Sequence, residues 1–196
     1  LAKRYGAAVL GLTLDGKGIP KNAERRFEIA ERILHRAIEI GINREDVLID
    51  CLTLTVSAEP MQAMETLKTL RMIKEGLGLS TVLGVSNISF GLPARPLINS
   101  AFLSMALQAG LDAPIMNPRD QKMMESFDAS LVLSGKDLRA ERYIRKYSQG
   151  SGVRVTHPVD GSQESGVKEG PKNIADRLKK AIIEGDKDRI STMIEE

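Results

Sequence analysis

Short apolar runs alternate with amphipathic helical stretches along most of the chain. The clearest unit begins at Ser80, where Val82, Leu83 and Val85 form an apolar run, as a strand buried on both faces would. The run stops at Ser86 and Asn87 and breaks into a loop holding Gly91 and Pro93. A helix pattern follows at once: Pro96 at its start, Ile98, Ala101, Phe102, Met105, Ala106 and Ala109 apolar, and Gly110 as the stop. Strand, polar tip, loop, helix is the unit of β/α barrels and doubly wound sheets. Taken alone, Asn87 serves equally well as a turn residue capping its own backbone. The recurrence of the pattern at other strand ends weakens that reading.

Residues 7–14 (AAVLGLTL) form an earlier run ending at Asp15. Asn22 is placed to cap the next helix, whose apolar face is Ala23, Phe27, Ala30, Ile33, Leu34, Ala37 and Ile38, with Gly41 as its end. His35 lies beside that stripe and reads as a structural or surface residue. Val47, Leu48 and Ile49 form the next run, closed by Asp50. After the hydroxylic stretch 51–56, residues 57–60 open a helix carrying Met61, Met64, Leu67, Leu70 and Ile73, with the methionines read as core filling. A fourth run, residues 113–116, ends in Asn117 and carries Pro114, which suits a strand start better than a strand interior. Helical patterns return over 119–133 and 136–147.

Composition changes after Tyr147. Residues 149–173 hold five glycines and two prolines with little apolar content, the pattern of a flexible, protease-sensitive linker. A last amphipathic segment over 174–196 sets Leu178, Ala181, Ile182, Ile190, Met193 and Ile194 on one face, with Gly185 and Asp186 between two short helices. It is too short to bury that face unaided.

Charge and composition narrow the functional classes. Lys+Arg 28 against Asp+Glu 26 gives +2, which makes no electrostatic case for nucleic acid or an anionic membrane. The chain shows no membrane span and no signal-peptide pattern, and one cysteine, Cys51, fits a cytoplasmic location. Two distant histidines and one cysteine make no metal site by spacing. The chain begins at Leu1 and is entering a strand by Ala7, so it reads as a piece cut from something longer.

The polar tips Asp15, Asp50, Asn87 and Asn117 are spaced by 35, 37 and 30 residues, each the length of one βα unit. Parallel strands bring their carboxyl ends to one side, where barrel enzymes do their chemistry. A whole barrel takes about 250 residues and eight units. The fold class is therefore α/β, with residues 1–148 supplying roughly strands 5–8 of a (β/α)8 TIM barrel. Carboxylates and carboxamides, without His, Cys or Lys at the tips, suit hydrogen-bond recognition of a polar heterocycle rather than nucleophilic catalysis. A carboxylate accepts two hydrogen bonds from an amino-pyrimidine edge, and Asn both donates and accepts beside a ring nitrogen.

The segments VLIDCLTLTV (47–56), LGVSNISF (83–90), RPLIN (95–99) and AGLDAPIMN (109–117) resemble the pterin-binding domain of cobalamin-dependent methyltransferases. The nearest members are the methyltetrahydrofolate-binding domain of methionine synthase and the methyltetrahydrofolate:corrinoid methyltransferases. The resemblance covers residues 6–147 and implies a barrel of the dihydropteroate-synthase-like type whose first four strands, with two further pterin contacts, are absent here. It implies that Asp50 meets the amino-pyrimidine edge and Asn87 lies near the methyl-bearing ring nitrogen as the catalytic residue. Asp15 and Asn117 complete the expected pterin contacts. The segment DRLKKAIIEGDKDRI (176–190) is similar to the start of the helical cap before a cobalamin-binding domain.

The chain has no Asp-x-His-x-x-Gly motif, so the resemblance places cobalamin on a further domain or another protein. The implied activity is transfer of the methyl group of methyltetrahydrofolate to a corrinoid cobalt, with the attached cap favouring methionine synthesis from homocysteine. The expected partners are the corrinoid domain, the N-terminal half of the barrel and, for the bare chain, a second copy. Dihydropteroate synthase is the nearest rival, but it carries a basic Ser-Arg-Lys where this chain has Ser86, Asn87 and Ile88. A non-catalytic module that only docks a corrinoid protein is the rival of a different class.

Overall fold

The structure is a computed structural model and describes residues 1–148. The linker and cap expectations lie outside the described residues. Each apolar run forms a strand: β1 (Val9–Leu12), β2 (Val47–Asp50), β3 (Ser80–Gly84) and β4 (Ala113–Ile115). They pair in parallel in the order β1-β2-β3-β4. Pro114 lies inside β4 rather than at its start, which is tolerated because β4 pairs only with β3 among the described residues.

A short helix α1 (Ala2–Tyr5) precedes β1, and α2 (Ala23–Glu39), α3 (Gln62–Met72), α4 (Arg95–Gln108) and α5 (Gln121–Leu133) follow the four strands in turn. A last helix, α6 (Glu141–Tyr147), packs back on α5, where Arg142 and Lys146 meet the buried carboxylate of Asp128. Asn22 caps α2 by accepting from Arg25 N–H at 3.3 Å, and Asp120 caps α5 by accepting from Met123 N–H at 3.2 Å. This is four consecutive units of a β/α barrel, laid open.

The pleat and the register sort the sheet into two faces. Gly11, Ile49, Thr81 and Leu83 face the helices, while Leu10, Leu12, Leu48, Asp50, Val82 and Gly84 line the other side. The approach of α2 to β1 is close: a Cβ on Gly11 would stand 2.7 Å from Ile33 Cγ2. Only a glycine fits there. The core lies between sheet and helices, around Ile49, Leu70, Ile73, Leu83, Leu103 and Leu111.

Two expectations about the core fail. Met61 and Met64 are 67% and 52% exposed, and Ile38 is 48% exposed. Leu67, Leu70 and Ile73 are buried as expected, but in the methionines' stead α3 buries Gln62, Thr66 and Thr69, and α2 buries Arg26 and Ile29. The inward-pointing Arg26 recruits Gln62 and Thr66 as hydrogen-bond partners, which brings those polar side chains into the buried face of α3.

The face opposite the helices is apolar and open. Leu10, Leu12 and Leu14 are 46%, 43% and 40% exposed, and Ile115 is 56% exposed. An apolar groove of about 520 Å³ also runs along the β1 edge, between Val9, Ile29, Ile33, Ala37, Ile40 and Ile42. In a closed barrel, side-chain layers cover such a face and no strand edge is free. Light scattering on the 196-residue chain is therefore expected to give a mass above that of one copy, with strong binding of an apolar dye. A stable monomer that binds no dye contradicts the open-sheet reading.

Candidate functional site

The strand ends fall on one side, but only Asp50 is itself a strand residue. Asp50 is in register with Leu12, Val82 and Ala113 on the open face. Its Oδ1 accepts the Leu52 N–H at 2.8 Å, and its main-chain carbonyl accepts the Thr13 N–H and hydroxyl, each at 3.1 Å. Partial burial pushes the carboxyl pKa up from its ordinary value, and the Leu52 N–H works against that rise. Leu52 has φ 56°, a left-handed conformation that a leucine adopts only when its surroundings impose it.

Asn87 lies beyond β3, on a 3₁₀ turn Val85–Ser89 rather than at the strand end. Val85, Ile88 and Ser89 are buried and anchor the turn, leaving Asn87 exposed. Its side chain folds back over Gly84, where a Cβ would come within 3.4 Å of Asn87 Nδ2. Gly84 lies one pleat repeat past Val82, so its backbone is about 8 Å from that of Asp50. That span suits a bicyclic ring laid across both side chains.

The loops behind these two residues are stitched together. Val56 N–H donates to the Ile88 carbonyl at 3.1 Å, and the Thr55 and Ser57 hydroxyls donate to the Phe90 carbonyl at 2.7 and 2.8 Å. Arg95 closes the turn from below: Nη2 donates to the Ser86 carbonyl and Nε to Ser89 Oγ, both at 2.9 Å. Its guanidinium also stacks over the Phe90 ring, 4.6 Å from the centroid.

Asp15 and Asn117 are placed apart from this pair. Both Asp15 oxygens are engaged, Oδ1 by the Lys17 N–H at 2.9 Å and Oδ2 by Arg25 at 3.2 Å. The Lys17 N–H and then Arg25 hold its pKa below the ordinary carboxylate value. Asn117 Oδ1 accepts the Arg119 N–H at 3.0 Å, an Asx turn. Asn117 lines a groove with Pro96 and Asp120, whereas Asp15 lines a separate one with Lys17 and Pro20.

Residues 1–117 match the family described as pterin binding enzyme. The chain belongs to that family. The methionine synthases of Mycobacterium leprae and Mycobacterium tuberculosis are each 38% identical over 125 residues, covering 60% of this chain and 10% of either relative. The methylcorrinoid:tetrahydrofolate methyltransferase of Eubacterium limosum is 29% identical over 143 residues, 72% of this chain and 53% of that protein. The chain therefore spans about half of one relative and a tenth of the others. In this member of the family the sheet is a partial TIM barrel, the parallel α/β arrangement of the family.

Sequence reasoning passed over three features of these loops: Arg95, the Thr55–Ser57 hydroxyl pair, and Arg26, whose Nη1 donates to the Cys51 and Leu52 carbonyls behind Asp50. Arg26 had a visible signal, a charge occupying the i+3 position of the buried stripe that starts at Ala23.

Proposed function

We propose that this chain provides the part of a methyltransferase that holds methyltetrahydrofolate while its methyl group passes to a reduced corrinoid. The single observation that carries this reading is the pair Asp50, at the end of β2, and Asn87, on the turn just past the adjacent β3, with their loops bonded to each other. The Asp50 carboxylate accepts the N–H groups of the amino-pyrimidine edge and anchors the ring. Asn87 hydrogen-bonds at the methyl-bearing nitrogen. A tertiary amine leaves poorly until its nitrogen is protonated or hydrogen-bonded, so a bond that strengthens as the methyl departs lowers the barrier. The corrinoid, when docked, supplies the nucleophilic cobalt that accepts the methyl group.

In this reading the corrinoid comes from a further domain or a partner protein. Asn117 and Asp15 extend the contact surface on either side of the pair, Asn117 through its amide nitrogen, since its oxygen is used in the turn. Methionine synthesis is the pathway that the tail segment and the mycobacterial relatives favour. The reaction runs in the cytoplasm.

Calorimetric titration of the intact protein with methyltetrahydrofolate tests the proposal. Saturable binding that Asp50→Asn weakens supports it. Failure to bind any reduced folate, together with retained binding of a corrinoid protein, would instead favour the docking-module reading.

A further inference from the structure

Arg26, in the first turn of α2, is 0% exposed, and all five of its hydrogen bonds go to neutral oxygens. Burying a guanidinium without a paired carboxylate is unfavourable unless its donors are well used. Nε donates to the Pro20 carbonyl at 2.7 Å and Nη2 to Gln62 Oε1 at 2.5 Å. Nη1 donates to the Cys51 and Leu52 carbonyls at 3.3 and 3.2 Å and to Thr66 Oγ1 at 3.1 Å. Thr66 Oγ1 in turn donates to the same Leu52 carbonyl at 3.3 Å.

Two successive carbonyls converging on one nitrogen require the chain to turn sharply between them. That turn is the left-handed Leu52, φ 56°. It is also what swings the Leu52 N–H back onto Asp50 Oδ1 at 2.8 Å. Asp50 Oδ2 has no hydrogen-bond donor among the described residues.

We propose that Arg26 is a positioning residue for ligand binding: by clamping the Cys51 and Leu52 carbonyls it holds the Leu52 N–H against Asp50 Oδ1 and leaves Oδ2 free for the pterin edge. This rests on the reading of Asp50 as the pterin anchor. Arg26 touches no ligand; it acts through the backbone of the loop.

The test uses the intact protein and three measurements: the NMR titration of the Asp50 carboxyl, the methyltetrahydrofolate Kd and the unfolding midpoint. Arg26→Met raises the Asp50 pKa, since the Leu52 N–H is no longer held in place, and weakens binding about tenfold or more. Adding Leu52→Gly brings both back toward wild type, because glycine takes a positive φ without strain. The unfolding midpoint of that double variant stays low, since none of the Arg26 hydrogen bonds return. A merely structural arginine would not separate the three in this way.

Unchanged Asp50 titration and Kd in a folded Arg26→Met overturn the proposal, as does a folded double variant that recovers neither. If Arg26→Met does not fold, Thr66→Val removes one partner of the clamp. It is expected to weaken binding about two- to threefold with a smaller pKa rise, and no change in either overturns the proposal. If the wild-type protein binds no methyltetrahydrofolate, the pterin reading fails, while the Asp50 titration still decides whether Arg26 places the carboxylate.

Discussion

Replacing Asn87 with alanine lowers methyl transfer about 30- to 900-fold at saturating methyltetrahydrofolate, by the roughly 2–4 kcal/mol typical of a donor aimed at developing charge. The Kd for methyltetrahydrofolate rises far less. The asymmetry follows from where the charge changes: as the methyl leaves, the ring nitrogen near Asn87 keeps the C–N bonding pair and gains electron density, so the hydrogen bond that Asn87 donates to it strengthens between ground state and transition state. The turn itself survives, because Val85, Ile88 and Ser89 are its buried anchors and Arg95 bonds Ser86 and Ser89, leaving the exposed Asn87 side chain uncommitted to the fold. Single-turnover transfer to a reduced corrinoid protein checks it. Equal rates for wild type and variant would end the catalytic assignment.

Asp50→Asn has the opposite signature: affinity falls about 10- to 150-fold, by roughly 1.5–3 kcal/mol for a hydrogen bond to a charged group, with a smaller effect on the bound transfer rate. Folding does not suffer. The asparagine Oδ1 still accepts the Leu52 N–H, and a partly buried charge is removed. The two pH dependences run in opposite senses. Burial raises the folded-state pKa above that of the unfolded chain, so between the two values the folded state binds more protons. Stability therefore declines as pH rises through that window and levels off above it. Ligand affinity needs the ionised carboxylate, so it declines as pH falls through the same folded-state value. Asp50→Asn abolishes both trends, and urea titrations and calorimetry across that pH range reveal whether it does.

What could be read from the chain was what short-range physics determines. The runs at 47–49 and 82–85 became β2 and β3 with Asp50 closing its strand, and Asn22 capped α2 as its side chain allows. The resemblance carried by 83–90 and 109–117 identified the family that the match over residues 1–117 shows. Long-range contacts decided the rest. Nothing local in Leu52 announces a left-handed residue, because that conformation is imposed by an arginine 26 positions earlier. Met61 and Met64 have core composition, yet Gln62 and Thr66 won the buried face through their bonds to the same arginine. Asn87 was expected at a strand end and stands on a 3₁₀ turn, whose closure depends on Arg95 from the following helix.

The buried Cys51 turns this clamp into something that can be timed. It is the chain's only thiol, it has no exposed surface, and burial, followed by the neighbouring Asp50 charge, pushes its pKa well above the ordinary thiol value. Thiol reagents attack the thiolate, so they modify the native protein only during excursions that open the core around Cys51, the residue whose carbonyl Arg26 holds. The modification rate then measures how often the floor beneath the Asp50 carboxylate opens, in a single exponential with no competing thiol. Ligand seated on Asp50 slows those openings, so occupancy can be followed without any label on the ligand itself.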